Sequence, residues 1–170
     1  DNTSQSRGGG LSGLSSTLTA FDSSFISNTS GTSGGGAYLN DGTPSFNRAV
    51  FTQNSAGTNG GGLYSEASNE PVIIDSSFSD NSSLLGGGGL QLFDVQGENG
   101  ARITTTEILS NTTAGAGGGI RVNELNTKVT MVDCVVGENA AEVGGGINSF
   151  EARQFTLQNV VVYNNFATLF

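Results

Sequence analysis

Histidine is missing from this 170-residue chain, and the commonest general base and metal ligand goes with it. Ser-His-Asp and Cys-His nucleophile arrangements cannot be assembled within it. The single cysteine, Cys134, excludes an intrachain disulfide. Basic residues are scarce: six Lys and Arg face fifteen Asp and Glu, for a net charge of −9. Phosphate binding needs clustered cations, so neither nucleic acid nor an anionic membrane surface is expected as a partner. No apolar run approaches the ~20 residues of a membrane span, and the chain starts at Asp1 in polar sequence without a visible signal peptide.

Glycine, in contrast, is abundant at 27 residues, but no three-residue glycine period exists, so a collagen helix is excluded. Nineteen of the glycines lie in six runs ending at Gly10, Gly36, Gly62, Gly89, Gly119 and Gly146. The steps between those ends are 26, 26, 27, 30 and 27 residues. A second motif keeps pace, an apolar residue followed three positions later by Asn. It reads Phe25–Asn28, Phe51–Asn54, Phe78–Asn81, Ile108–Asn111, Val136–Asn139 and Val162–Asn165.

Length variation falls almost entirely on one side of each repeat. From motif Asn to the last Gly of the next run is 8 residues, shortening to 7 only between Asn139 and Gly146. The insertions fall after the glycines, the longest including Asp94–Ala101. No segment holds a 3.6-residue apolar period, and glycine runs break helices at ~1 kcal/mol per residue. Alternation marks strands instead: Leu63 and Ser65, Leu90 and Leu92, Ile120 and Val122 on one parity, with Tyr38, Tyr64, Gln91 and Arg121 at the intervening, outward positions. A second alternating run before the Asn motif changes parity near Asp22, Asp75, Asp133 and Asn159, which marks a corner between two strands.

The expected fold is all-β: a right-handed parallel β-helix of about six coils with 26–30 residues and three short strands per coil. Residues 1–170 read as one β-helix domain, either a segment of a longer solenoid or a subunit that stacks end to end. Equivalent strands pair ~4.8 Å apart along the axis, so six coils give a rod on the order of 29 Å long. Leu63, Leu90, Ile120 and Ile147 are expected in one inward column, and Phe25, Phe51, Phe78, Ile108, Val136 and Val162 in another. Asn28, Asn54, Asn81, Asn111, Asn139 and Asn165 are expected to stack as an amide ladder. Aspartate there would set like charges ~4.8 Å apart.

The pairing of GGGI (Gly117–Ile120, Gly144–Ile147) with FISN, FTQN and FSDN resembles the polymorphic outer-membrane protein repeat family, across essentially the whole chain. That resemblance implies a right-handed β-helix, surface exposure, and adhesive or structural roles. Ile108, Val136 and Val162 depart from Phe at the motif head, and no outer-membrane barrel is present here.

Other chemistry is weighed against this. Asn2, Asn28, Asn81 and Asn111 stand in N-glycosylation sequons, although the repeat alone accounts for Asn followed by small residues. Tyr38, Tyr64 and Arg121 form a candidate ligand face for surface glycans. Asp22 and Asp75 would lie two coils apart, roughly 9.6 Å, with Arg48 between them. That lies at the upper limit of the about 5–9.5 Å between glycosidase carboxylates, and a stacked surface ion pair explains the arrangement equally well. Asp94 and Glu98 could approach a Ca²⁺ ion in the long insertion. No catalytic residue, cofactor or metal site is assigned. The expectation is a structural or adhesive module of a secreted or cell-surface assembly, an extracellular filament subunit included, whose partners are further copies or adjoining solenoid segments. The alternative is a carbohydrate-binding or polysaccharide-processing β-helix with its active residues in loop insertions.

Overall fold

The computed structural model describes residues 1–169. Among them are 25 short strands and no helix. The strands form four parallel sheets, one of seven strands and three of six. Every strand pairs with its equivalent one coil away, as in Tyr64 between Tyr38 and Gln91, or Phe78 between Phe51 and Ile108. The solenoid is a right-handed parallel β-helix with about six turns.

The three strands expected per coil are present. Sheet 2 follows the glycines (Leu63–Glu66, Leu90–Phe93, Ile120–Asn123), and sheets 3 and 4 flank the parity change (Val72–Ile74 and Ser77–Ser79 in one coil). A fourth strand of two residues follows each motif Asn, from Thr3–Ser4 to Phe166–Ala167, and builds sheet 1. Two residues carry no alternation, so only coil-to-coil hydrogen bonding defines these strands.

The parity change has a backbone cause. Asp22, Arg48, Asp75, Thr105, Asp133 and Asn159 all have φ between 48° and 53°. A left-handed residue turns the chain sharply and resets which side chains face inward. The residue before each motif Asn does the same: Ser27, Gln53, Asp80, Ser110, Glu138 and Asn164 have φ of 49° to 59°. Polar residues dominate both columns because short polar side chains tolerate this region best. The glycine runs supply the corner that no side chain tolerates. A Cβ on Gly88 would stand 2.4 Å from the carbonyl oxygen of Gly118 and 2.5 Å from that of Thr112.

Inside, like stacks on like. Leu63, Leu90 and Ile120 are buried in one column; Phe51, Phe78, Ile108 and Val136 are buried in the other. The rings of Phe25, Phe51 and Phe78 stack at 4.5 and 4.6 Å with interplanar angles of 4° and 2°, and Phe46 meets Phe51 edge-on at 5.3 Å. The inward expectation holds through the interior coils and lapses at the end of the stack. Ile147 and Phe25 are half-buried, and Val162 is 50 % exposed. Each of these lacks a covering coil on one side. Cys134 is buried at the corner between sheets 3 and 4, its thiol pushed up chiefly by burial.

Candidate functional site

The most completely satisfied polar structure is the asparagine ladder. It runs through seven members, because Asn2 joins the six expected. At each rung the backbone N–H and Nδ2 of one Asn both donate to Oδ1 of the next, at 2.8–3.1 Å. The second Nδ2 hydrogen returns to the carbonyl of the motif's apolar head one coil back: Asn81 to Phe51 and Asn111 to Phe78, both 2.9 Å. A buried amide has two donors and two acceptor sites, and Asn54, Asn81, Asn111 and Asn139 use all four. Each bond adds about 0.5–1.5 kcal/mol, and removing one partner strands another at a buried site. The ladder therefore ties each coil to two neighbours.

That geometry corrects the glycosylation expectation at three of four sequons. Asn28, Asn81 and Asn111 are 3 %, 0 % and 0 % exposed, and Nδ2, the atom that would carry a glycan, is bonded inside the stack. The sequon hydroxyls Ser30, Ser83 and Thr113 are buried as well. Asn2 alone of the four is exposed.

The candidate ligand face is also corrected. Tyr38 and Tyr64 do stack on the outer side of sheet 2, at 5.6 Å and 8°. However, they are 1 % and 7 % exposed, so neither ring offers an open face to a sugar. Arg7 lies over the Tyr38 ring at 4.8 Å and donates from its guanidinium to the Tyr38 hydroxyl at 2.6 Å. That hydroxyl in turn donates to Glu66 at 2.7 Å. Burial, then the Glu66 hydrogen bond and charge, push the Tyr38 phenol up to about 12. Burial raises Tyr64 too. Arg7 and Glu66 were missed in the sequence. Glu66 was within reach of it, standing two residues beyond Tyr64 on the same outward parity, whereas Arg7 arrives from the preceding turn.

Arg121 does not join the tyrosines. Its side chain folds over Gly86, where a Cβ would meet its Cδ and Nη1 at 2.6 Å, and Nη1 donates to the Leu85 carbonyl at 3.4 Å. The only four-glycine run in the chain thus makes room for this arginine. Next to it, Gln91 is buried and donates to Asn123 at 3.1 Å.

At the corner between sheets 3 and 4, Arg48 grips Asp22 with two bonds of 2.6 and 2.9 Å and covers the Phe21 ring at 3.9 Å. The arginine hydrogen bond holds Asp22 below the usual carboxylate range. Both groups are exposed, and the arrangement is a surface ion pair. In the long insertion, Glu70 accepts from the backbone and side chain of Asn99, both at 3.0 Å, and Lys128 donates to the Glu98 carbonyl at 2.7 Å. The loop is therefore held by hydrogen bonds to its neighbours. Asp94 instead accepts from Gln96 at 2.8 Å, and among the described residues no group of acids is gathered as a metal cage.

A family model of the right-handed β-helix region matches residues 3–169. Comparison with curated proteins and with solved structures gives no significant match. With nearly every residue matched, and with parallel sheets paired coil on coil, the chain belongs to the right-handed β-helix family.

Proposed function

We propose that this β-helix is a structural or adhesive module of a secreted or cell-surface assembly, without catalytic activity of its own. Within the right-handed β-helices, its GGGI and FxxN repeats support a kinship with the polymorphic outer-membrane protein repeats. The observation that carries the reading is the ladder. The polar group that recurs in every coil faces the next coil, and the outer aromatic pair is closed by Arg7 and Glu66. The sequence repeat therefore serves rod formation. In this reading the partners are β-helical coils stacked end to end, from further copies or adjoining solenoid segments. Buried tyrosine rings weigh against the polysaccharide alternative, which needs an open platform.

Two measurements on the purified chain test this. Electron microscopy is expected to show narrow rods, some joined end to end, and a panel of polysaccharides is expected to remain intact after prolonged incubation. Sustained turnover of any one of them would replace the structural reading with an enzymatic one.

A further inference from the structure

The chain holds two Asn-Gly pairs, Asn59–Gly60 and Asn99–Gly100, in contrasting settings. Asn-Gly is the pair in which a neighbouring backbone nitrogen is least hindered from attacking the side-chain amide, because glycine has no Cβ. Asn59 is half-buried and locked on both sides: its carbonyl accepts from Gly34 at 2.9 Å, and the Gly60 N–H donates to Gly86 at 2.9 Å. Asn59 also bridges to Gly86 within the sheet stack. Asn99 stands exposed in the bend of the long insertion. Among the described residues, no backbone or side-chain acceptor engages the Gly100 N–H. What holds Asn99 is one carboxylate, Glu70 Oε1, which accepts both its N–H and its Nδ2 at 3.0 Å.

We propose that Asn99 is a site of spontaneous, fold-selected deamidation that releases the long insertion, while the coil geometry protects Asn59. Gly100 is itself buried, so the loop must first open locally to water; its nitrogen, which has no acceptor to release, then gives its proton to hydroxide and attacks Cγ of Asn99. A C–N bond forms, the Cγ–Nδ2 bond breaks, and Nδ2 leaves as ammonia with a proton from water. Water then opens the cyclic imide at either carbonyl, giving aspartate or isoaspartate. Aspartate replaces the amide that donates to Glu70 with a carboxylate facing it; isoaspartate draws the former amide carbon into the main chain, which removes the Nδ2 donor and leaves a free α-carboxylate in the loop. Two like charges at hydrogen-bond distance repel, so the contact between Glu70 and the 94–100 loop opens. Gly97 is pressed against the Glu70 side chain, its absent Cβ lying 2.4 Å from Cγ, so the loop loses its packing support together with the hydrogen bonds.

The test is peptide mapping by mass spectrometry after incubating the intact chain in mildly alkaline buffer, in parallel with the chain held unfolded in urea. The folded protein should convert Asn99 about tenfold or more faster than Asn59, as about 1.4 kcal/mol of local opening free energy at Asn59 requires. Unfolded, the two sites should convert at similar rates. Hydrogen exchange on the Asn99→Asp variant should show faster exchange across 94–100, with residues 34–36 and 60–62 unchanged. Equal rates at the two sites in the folded chain would overturn the proposal. So would an Asn99 that stays intact when folded yet converts in urea, and so would an Asn99→Asp loop as protected as the wild type.

Discussion

The two arms of each coil solve the same problem by different means. The arm from motif Asn to the glycine turn is almost constant in length and fills its interior with amide hydrogen bonds and backbone-to-backbone contact. The arm from sheet 2 to sheet 3 varies in length and is fastened by individual side chains, such as Glu70 on Asn99 and Lys128 on Glu98. The constant arm is constant because its atoms meet those of the next coil too closely for any addition. The variable arm faces solvent, where an insertion costs only a slowly growing loop entropy.

Substitutions rank the arms. Gly88→Ala should be the most damaging, costing about 4 kcal/mol or more, since its Cβ would meet two backbone oxygens that cannot move aside. Thermal unfolding would show it, and a change under 1 kcal/mol would mean the turn is softer than its contacts imply. Phe51→Ala should cost about 3–5 kcal/mol through lost burial and a cavity between two stacked rings. The same change at Val162 should be mild, because half of that side chain is already in water.

Asn81→Asp sharpens the contrast through pH. Burial and the surrounding carbonyl oxygens raise the folded-state pKa of such a carboxyl above its unfolded value near ~3.9. The folded state then binds more protons, so the variant is least destabilised below that value. Its stability falls as pH rises through the folded pKa. Urea midpoints across acidic pH would detect this, and a flat profile would contradict a closed ladder. In the variable arm, Asn99→Ala removes one exposed hydrogen bond, from Nδ2 to Glu70, and keeps the one from the backbone N–H; it should cost at most about 1 kcal/mol, leaving the unfolding midpoint nearly unchanged. Smallest is Arg48→Ala. It should return the Asp22 midpoint upward toward its ordinary value of 3.8, visible by NMR titration, with little change in stability. The Asp22 contribution is present above that value and is lost as pH falls through its depressed midpoint.

The repeat spacing by itself determined the number of coils, the identity of the inward columns and the ladder of asparagines. All three follow from stacking equivalent residues, so periodicity is sufficient to place them. Three things were decided only by the tertiary structure. Sheet 1 is too short for alternation to reveal. Tyr38 is buried although it points outward, because Arg7 and Glu66 reach it from coils on either side. Asn28, Asn81 and Asn111, three of the four sequon asparagines, are closed to modification because the next coil consumes their amides. Sequence period fixes which residues share a column; whether solvent reaches that column depends on side chains arriving from neighbouring turns, and no one-dimensional pattern records their directions.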